Sequence, residues 1–145
     1  MMSENGRILV VEDDEFVCNS LKWLLVDEGY DVEVTTDGRK AVEMLAGEPY
    51  DLVITDLMMP EVDGLEVLKQ VRATSADTSV IVLTGYGTVE AAVSALEQGA
   101  FDFLTKPCDD LEMKFKILNA LEMKRLKTRI RGLEAEVEKL KGQRK

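Results

Sequence analysis

Five side chains carry the chemistry open to this sequence: the neighbouring carboxylates Glu12 and Asp13, the carboxylate Asp56, the hydroxyl Thr84 and the ammonium Lys106. Each sits at or just beyond the end of a short apolar run: Arg7-Ile8-Leu9-Val10-Val11, Asp51-Leu52-Val53-Ile54-Thr55, Ser79-Val80-Ile81-Val82-Leu83 and Phe101-Asp102-Phe103-Leu104. Three clustered carboxylates repel and raise one another's pKa. A hard divalent cation relieves that repulsion, and Mg²⁺ takes a few protein oxygens and fills its octahedron with water. A main-chain carbonyl near Met58 can add a ligand. Lys106 offers a point charge to an anion and Thr84 a hydrogen-bond donor. Such a set suits phosphoryl transfer to or from oxygen. An Asp carboxylate can itself be the nucleophile, giving an aspartyl phosphate, and once ionised it needs no general base. The sequence has no histidine, which removes histidine acid–base catalysis, histidine metal ligation and an internal phosphohistidine.

For these residues to meet, the runs must be parallel strands of one sheet. Val53 and Ile54 are β-branched and mark a buried strand that delivers Asp56 to its carboxyl edge. In open α/β sheets ligands bind at that edge. Between the strands lie helical stripes. Val17, Leu21, Leu24 and Leu25 form one, closed by Gly29; Ala41, Val42 and Leu45 follow a capping Asp37; Leu65, Leu68 and Val71 follow Val62-Asp63-Gly64; and Val89, Ala92, Val93 and Leu96 follow a capping Thr88 and stop at Gly99. Val32 and Val34 alternate with polar neighbours, the pattern of a half-exposed edge strand. Five strands alternating with five helices predict a mainly parallel sheet covered on both faces and joined by right-handed crossovers.

Composition narrows the class. The chain of 145 residues fits one domain and an appendage. Cys18 and Cys108 make no disulfide framework, so a reducing, cytoplasmic setting is expected. No apolar run approaches the roughly 18 residues of a membrane span, and the polar N-terminus is no signal peptide. Residues 1–111 hold 7 Lys/Arg against 23 Asp/Glu, and residues 112–145 hold 11 against 5. The acidic body argues against direct nucleic-acid binding, and the basic tail reads as a solvated helix face.

The strand-end residues and their spacing resemble the receiver domain of bacterial two-component response regulators. The resemblance covers roughly residues 6–120. It rests on Ile8-Leu9-Val10-Val11-Glu12-Asp13, Asp51-Leu52-Val53-Ile54-Thr55-Asp56-Leu57-Met58-Met59-Pro60, Asp63-Gly64, Leu83-Thr84-Gly85 and Phe103-Leu104-Thr105-Lys106-Pro107. It implies a flavodoxin-like (βα)5 doubly wound sheet of strand order 2-1-3-4-5. It implies that Asp56 accepts a phosphoryl group from the phosphohistidine of a partner sensor kinase. Glu12, Asp13 and Asp56, with the Met58 carbonyl, would hold Mg²⁺, while Thr84 and Lys106 would bind the phosphoryl oxygens. A cis peptide before Pro107 is expected. The family's switch pairs the Thr84 position with an aromatic, here Phe103, acting on a face built from the fourth helix, fifth strand and fifth helix; Phe103 also reads as a packing side chain. Met58 and Tyr86 flank the expected path of the attacking water, where their bulk would slow hydrolysis.

The last helix is too long merely to close a domain. Met123, Leu126, Ile130, Leu133, Val137 and Leu140 are spaced 3, 4, 3, 4, 3, an a/d seam. The flanking pairs Glu122–Lys127, Arg129–Glu134 and Glu136–Lys141 are all opposite in sign, the signature of a parallel, in-register homodimer through residues 123–140; a single helix folded back on the body is the other reading of the short seam. Gly132 falls at an outer position. The expected organisation is a receiver over residues 1–121 and a coiled-coil linker over 122–145, leading to an output domain absent from this chain. The coil and the run Leu83-Thr84-Gly85-Tyr86-Gly87-Thr88-Val89-Glu90 resemble those of sigma-54-dependent transcription activators. Two other functions compete. An adaptor with a dead pocket sits poorly with five intact site residues. A Mg²⁺ phosphatase working through an aspartyl intermediate needs a second acid two residues past its nucleophile, where this chain has Met58.

Overall fold

The computed structural model describes residues 6–75, 77–85 and 89–143. Its elements run β1 (Arg7–Val11), α1 (Glu15–Asp27), β2 (Asp31–Thr35), α2 (Gly38–Gly47), β3 (Leu52–Asp56), α3 (Gly64–Thr74), β4 (Ser79–Thr84), α4 (Val89–Glu97), β5 (Asp102–Thr105) and α5 (Asp110–Gly142). The strands form one parallel sheet in the order β2-β1-β3-β4-β5. This is the mainly parallel sheet expected from the alternation, in the flavodoxin-like strand order that the resemblance implies.

Period-2 alternation distributes the core over both faces. Ile8, Val10, Ile54 and Leu83 pack beneath α1 and α5 with Leu21, Leu25, Met113 and Ile117. Leu9, Val11, Val53 and Val82 pack on the other face with Ala41, Val67, Leu68 and Ala95. The strand residues of both sets are fully buried, each contributing about 1.5–3 kcal/mol of transfer free energy. β2 is an edge strand and only half-buried, as its alternating sequence predicts.

Aspartates start the helices. Asp14, Asp37, Asp63 and Asp109 each accept hydrogen bonds from backbone amides of the first turn. The expected cap Thr88 lies outside the described residues. Gly29 and Gly99 adopt φ of 92° and 108° just past α1 and α4, the left-handed stops that only glycine makes without strain. Three strands differ by a residue from the sequence reading: β3 is Leu52–Asp56, β4 ends at Thr84 and β5 is Asp102–Thr105. β3 begins at Leu52, although the Asp51 amide donates to the Arg7 carbonyl at 2.8 Å and its carbonyl accepts from the Ser79 amide at 3.2 Å; its carboxylate accepts from the Arg7 amide at 2.8 Å and pairs with Lys124 at 2.7 Å. β5 runs one residue further on than expected, from Asp102, although the Phe101 amide already donates to the Val80 carbonyl at 2.7 Å.

Helix α5 is one uninterrupted helix of 33 residues. Its first part buries Met113, Ile117, Ala120 and Leu121 against the sheet. The same face continues as polar contacts: Lys124 to Asp51, Thr128 to Asp77 at 3.5 Å and Arg131 to Asp77 at 2.6 Å. The expected seam lies on the other side, exposed from 40% at Met123 to 56% at Leu140. Within the chain nothing described folds back over it. Among the described residues no helix is long and apolar enough to cross a membrane.

Candidate functional site

Parallel pairing carries the ends of β1, β3, β4 and β5 to one edge, and the register fixes their relative heights. Val11 lies beside Thr55, Asp56 beside Leu83 and Thr84 beside Thr105. Glu12, Asp13 and Asp56 thereby converge, each offering a carboxylate oxygen within 4.8 Å of the others. Their surroundings differ. Glu12 is fully buried and Asp56 almost so, whereas Asp13 is open to solvent. Lys106 reaches in from beyond β5, its ammonium 2.6 Å from Asp56 Oδ2 and 2.8 Å from Glu12 Oε2. The Lys106–Pro107 peptide is cis, and the Lys106 amide donates to the Thr84 carbonyl at 2.7 Å.

The loop after β3 is fixed by close contacts. The Met58 amide donates to Asp56 Oδ1 at 3.0 Å, the Leu57 amide to the Leu83 carbonyl at 3.1 Å and the Gly64 amide to the Leu57 carbonyl at 3.1 Å. Gly64 lies so close that a Cβ there would sit 2.3 Å from the Asp56 carbonyl oxygen. Only a residue with no side chain lets α3 start against the backbone of the acidic residue. The Met58 side chain is exposed, so this residue meets the cluster through its main chain. Thr84 is buried at the end of β4, with its hydroxyl donating to the Leu104 carbonyl at 3.4 Å. Tyr86 lies outside the described residues.

Charge balance follows from this geometry. Burial pushes the Glu12 carboxyl up to about 7; hydrogen bonds from Lys106 and the Asp14 amide oppose that shift, and the Asp56 charge adds to it. Burial alone would lower the Lys106 pKa, but its hydrogen bonds to Asp56 and Glu12 prevail and raise it. The donor set is hard oxygen throughout, and the buried Glu12 Oε2 is met by the Lys106 ammonium. A small divalent cation that keeps several waters matches such a set, with exposed Asp13 on the side open to water.

All seven residues singled out in the sequence have a place here. Glu12, Asp13, Asp56, Met58 and Lys106 form one contiguous cluster, Thr84 borders it on β4, and Phe103 lies half-buried on β5. Sequence reasoning missed Lys116, whose ammonium stands 4.9 Å from the centre of the Phe103 ring. The only signal was a lysine four residues after Glu112 on an amphipathic helix, which reads as a surface ion pair.

Comparison with known proteins places this geometry. Residues 8–118 match the response regulator receiver domain family. The chain is 34% identical over 136 residues to the alginate biosynthesis transcriptional regulatory protein AlgB of Pseudomonas putida, covering 94% of this chain and 30% of that protein. It is 37% identical over 132 residues to the regulatory protein AtoC of Escherichia coli, covering 91% and 29%. It therefore spans under a third of the length of these two curated relatives. Among solved structures, NtrX from Brucella abortus superposes with a TM-score of 0.84 at 29% identity, covering 92% of this chain and 30% of that one. The receiver domain of a Luxo repressor protein from Vibrio parahaemolyticus superposes with a TM-score of 0.80 at 32% identity, covering 87% and 97%.

Proposed function

Because the chain belongs to the response regulator receiver domain family, we propose that it is a phosphoacceptor module in which Asp56 takes a phosphoryl group from the phosphohistidine of a sensor kinase. The observation that carries this reading is the convergence of the Glu12, Asp13 and Asp56 carboxylates with the Lys106 ammonium resting on Asp56. An ionised Asp56 oxygen forms the new bond to phosphorus as the phosphorus–nitrogen bond of the donor breaks; the imidazole, protonated on its other ring nitrogen, leaves as the neutral ring with the electron pair of that bond. Lys106 and Thr84 take the charge that collects on the phosphoryl oxygens. Glu12, Asp13, Asp56 and the Met58 carbonyl would hold Mg²⁺, which when bound shields the carboxylates and the incoming phosphoryl oxygens from mutual repulsion.

In this reading residues 1–121 are the receiver and 122–145 the coiled-coil linker. Thr84 and Phe103 change position together on phosphorylation and alter the face made by α4, β5 and α5. The exposed seam from Met123 to Leu140 joins two chains in parallel, and phosphorylation alters their relative geometry. The output is transcriptional, of the sigma-54-dependent kind, and the setting is the cytoplasm. The chain promotes only its own phosphorylation and dephosphorylation and turns over no separate substrate.

The test is intact mass after incubation with acetyl phosphate and Mg²⁺, with Asp56→Asn alongside. Gain of one phosphoryl group that needs both the metal and Asp56 is the expected result. Absence of uptake from acetyl phosphate and from a phosphorylated kinase, together with no Mg²⁺ binding, would leave a dimerisation adaptor instead.

A further inference from the structure

β5 is an edge strand that pairs only with β4. The Lys106 amide donates to the Thr84 carbonyl, so by alternation Leu104 turns its backbone groups toward β4 and Phe103 turns its own to the free edge. Such groups ordinarily invite water or another strand. Here side chains occupy both. The Phe103 amide donates to Asp102 Oδ1 at 2.7 Å, and the Phe103 carbonyl accepts from Lys116 Nζ at 2.6 Å. The same ammonium faces the Phe103 ring at 4.9 Å, Glu112 Oε1 at 3.1 Å and Asp102 Oδ1 at 3.4 Å. Lys116 is about four-fifths buried, its side chain 21% exposed, so these contacts are less screened than those of a surface lysine.

We propose that Lys116 is a positioning residue: it holds the Phe103 ring in the orientation of the unphosphorylated state and so sets how readily Asp56 is phosphorylated. This rests on Phe103 being the switch aromatic. The physical requirement for such a role is an interaction that differs between the two ring orientations. The hydrogen bond to the Phe103 carbonyl does not depend on the ring. The cation–π contact does, because it acts only with the ammonium over the ring face within about 6 Å. A ring that turns away from the ammonium loses it, so Lys116 favours the half-buried orientation seen here. Removing the ammonium should raise the population of the other orientation, and with it the rate of phosphoryl uptake, roughly fivefold.

The test uses the full chain labelled with para-fluorophenylalanine, with the Phe103 fluorine signal assigned by Phe103→Leu. Wild type, Lys116→Met and Lys116→Arg are compared before and after phosphorylation by acetyl phosphate with Mg²⁺, and the uptake rate is followed by intact mass. The expected result is that the Phe103 signal of wild type moves on phosphorylation. That of unphosphorylated Lys116→Met already lies displaced toward the phosphorylated position with faster uptake, and Lys116→Arg restores both. A Lys116→Met signal that coincides with unphosphorylated wild type, while wild type responds to phosphorylation, overturns the positioning role and leaves the switch intact. A wild-type Phe103 signal that ignores phosphorylation of Asp56 overturns the switch and this role together.

Discussion

Replacing Lys106 with methionine tests how the acidic cluster is balanced, because it removes the ammonium and keeps most of the stem. That ammonium lies 2.6 Å from Asp56 and 2.8 Å from fully buried Glu12. Each contact is worth roughly 6 kcal/mol of gross Coulomb attraction at an effective dielectric of about 20, most of it offset by desolvation. Removing one partner of a buried pair costs about 3–5 kcal/mol, because the other charge is left uncompensated. Lys106 is 28% exposed, so water reaches the site and the lower end applies. In Mg²⁺-free buffer Lys106→Met should lose about 3 kcal/mol of unfolding free energy, read from urea denaturation followed by circular dichroism at one fixed chain concentration. The variant should then bind Mg²⁺ more tightly than wild type, by roughly tenfold, because a cation no longer competes with the ammonium for the same oxygens. Phosphoryl uptake should nonetheless fall by about a hundredfold, the usual loss when one charged donor is taken from a transition state. A variant within about 0.5 kcal/mol of wild type that binds Mg²⁺ no better would refute the balance drawn here.

Three further outcomes follow from particular contacts. Gly64→Ala should cost about 1–3 kcal/mol and slow phosphoryl uptake, since its Cβ would stand 2.3 Å from the Asp56 carbonyl oxygen and 2.7 Å from Leu57 Cα. Gly47→Ala, with nothing within 4 Å, should be neutral or slightly stabilising, and equal losses in the two would rule out a special role for Gly64. At Asp51, burial alone would raise the carboxyl pKa, but Lys124 and the Arg7 amide prevail and hold it below its ordinary value. A depressed folded pKa gives stability that is present above the unfolded value near 3.9 and lost as pH falls through the folded one. Lys124→Met should therefore flatten the fall in urea midpoint below about pH 4, and an unchanged slope would count against the pairing. Ile130→Asp should turn a dimer into a monomer in sedimentation velocity while leaving chain stability within about 0.5 kcal/mol, because Ile130 is 53% exposed in the single chain. A wild type that is already monomeric at tens of micromolar would dispose of the seam.

The strand ends were legible because two local signals agreed: β-branched runs marked Val53-Ile54 and Val80-Ile81-Val82, and a chemically loaded residue closed each run. Parallel topology then did the rest, since it leaves only one edge to which Glu12, Asp56, Thr84 and Lys106 can go. What stayed hidden is what depends on partners distant in sequence. Asp51 reads as the first residue of a strand, and nothing beside it shows that Arg7 and Lys124 claim its carboxylate. Nothing local distinguishes Glu12, which becomes fully buried against Lys106, Thr35 and the Asp14 amide, from Asp13, which stays in water. Lys116 is the clearest case, since its meaning comes from a strand edge on which its own helix happens to pack.

The same helix links these observations. α5 places Lys116 against Phe103 in its second turn, rests on the body through Lys124 and Arg131, and offers the row from Met123 to Leu140 on another side. Because it is continuous from Asp110 to Gly142, it cannot bend sharply without a break in its hydrogen-bond ladder. A change at Phe103 that reorients α5 must therefore carry the whole seam with it and strain or break the clasp at Asp51 and Asp77. These pairs are partly open to water, and ion pairs that water reaches are worth little more than about 1 kcal/mol, so the clasp yields before the apolar packing of Met113, Ile117 and Leu121. With the clasp open, α5 would swing as one body and take the seam with it. A charge-reversing Asp77→Lys change should loosen that clasp, seen as a wider distribution of distances between a spin label on α2 and one beyond Leu140 in the unphosphorylated protein. A distribution as narrow as wild type's would place the rigidity in the packing of Met113, Ile117 and Leu121 alone.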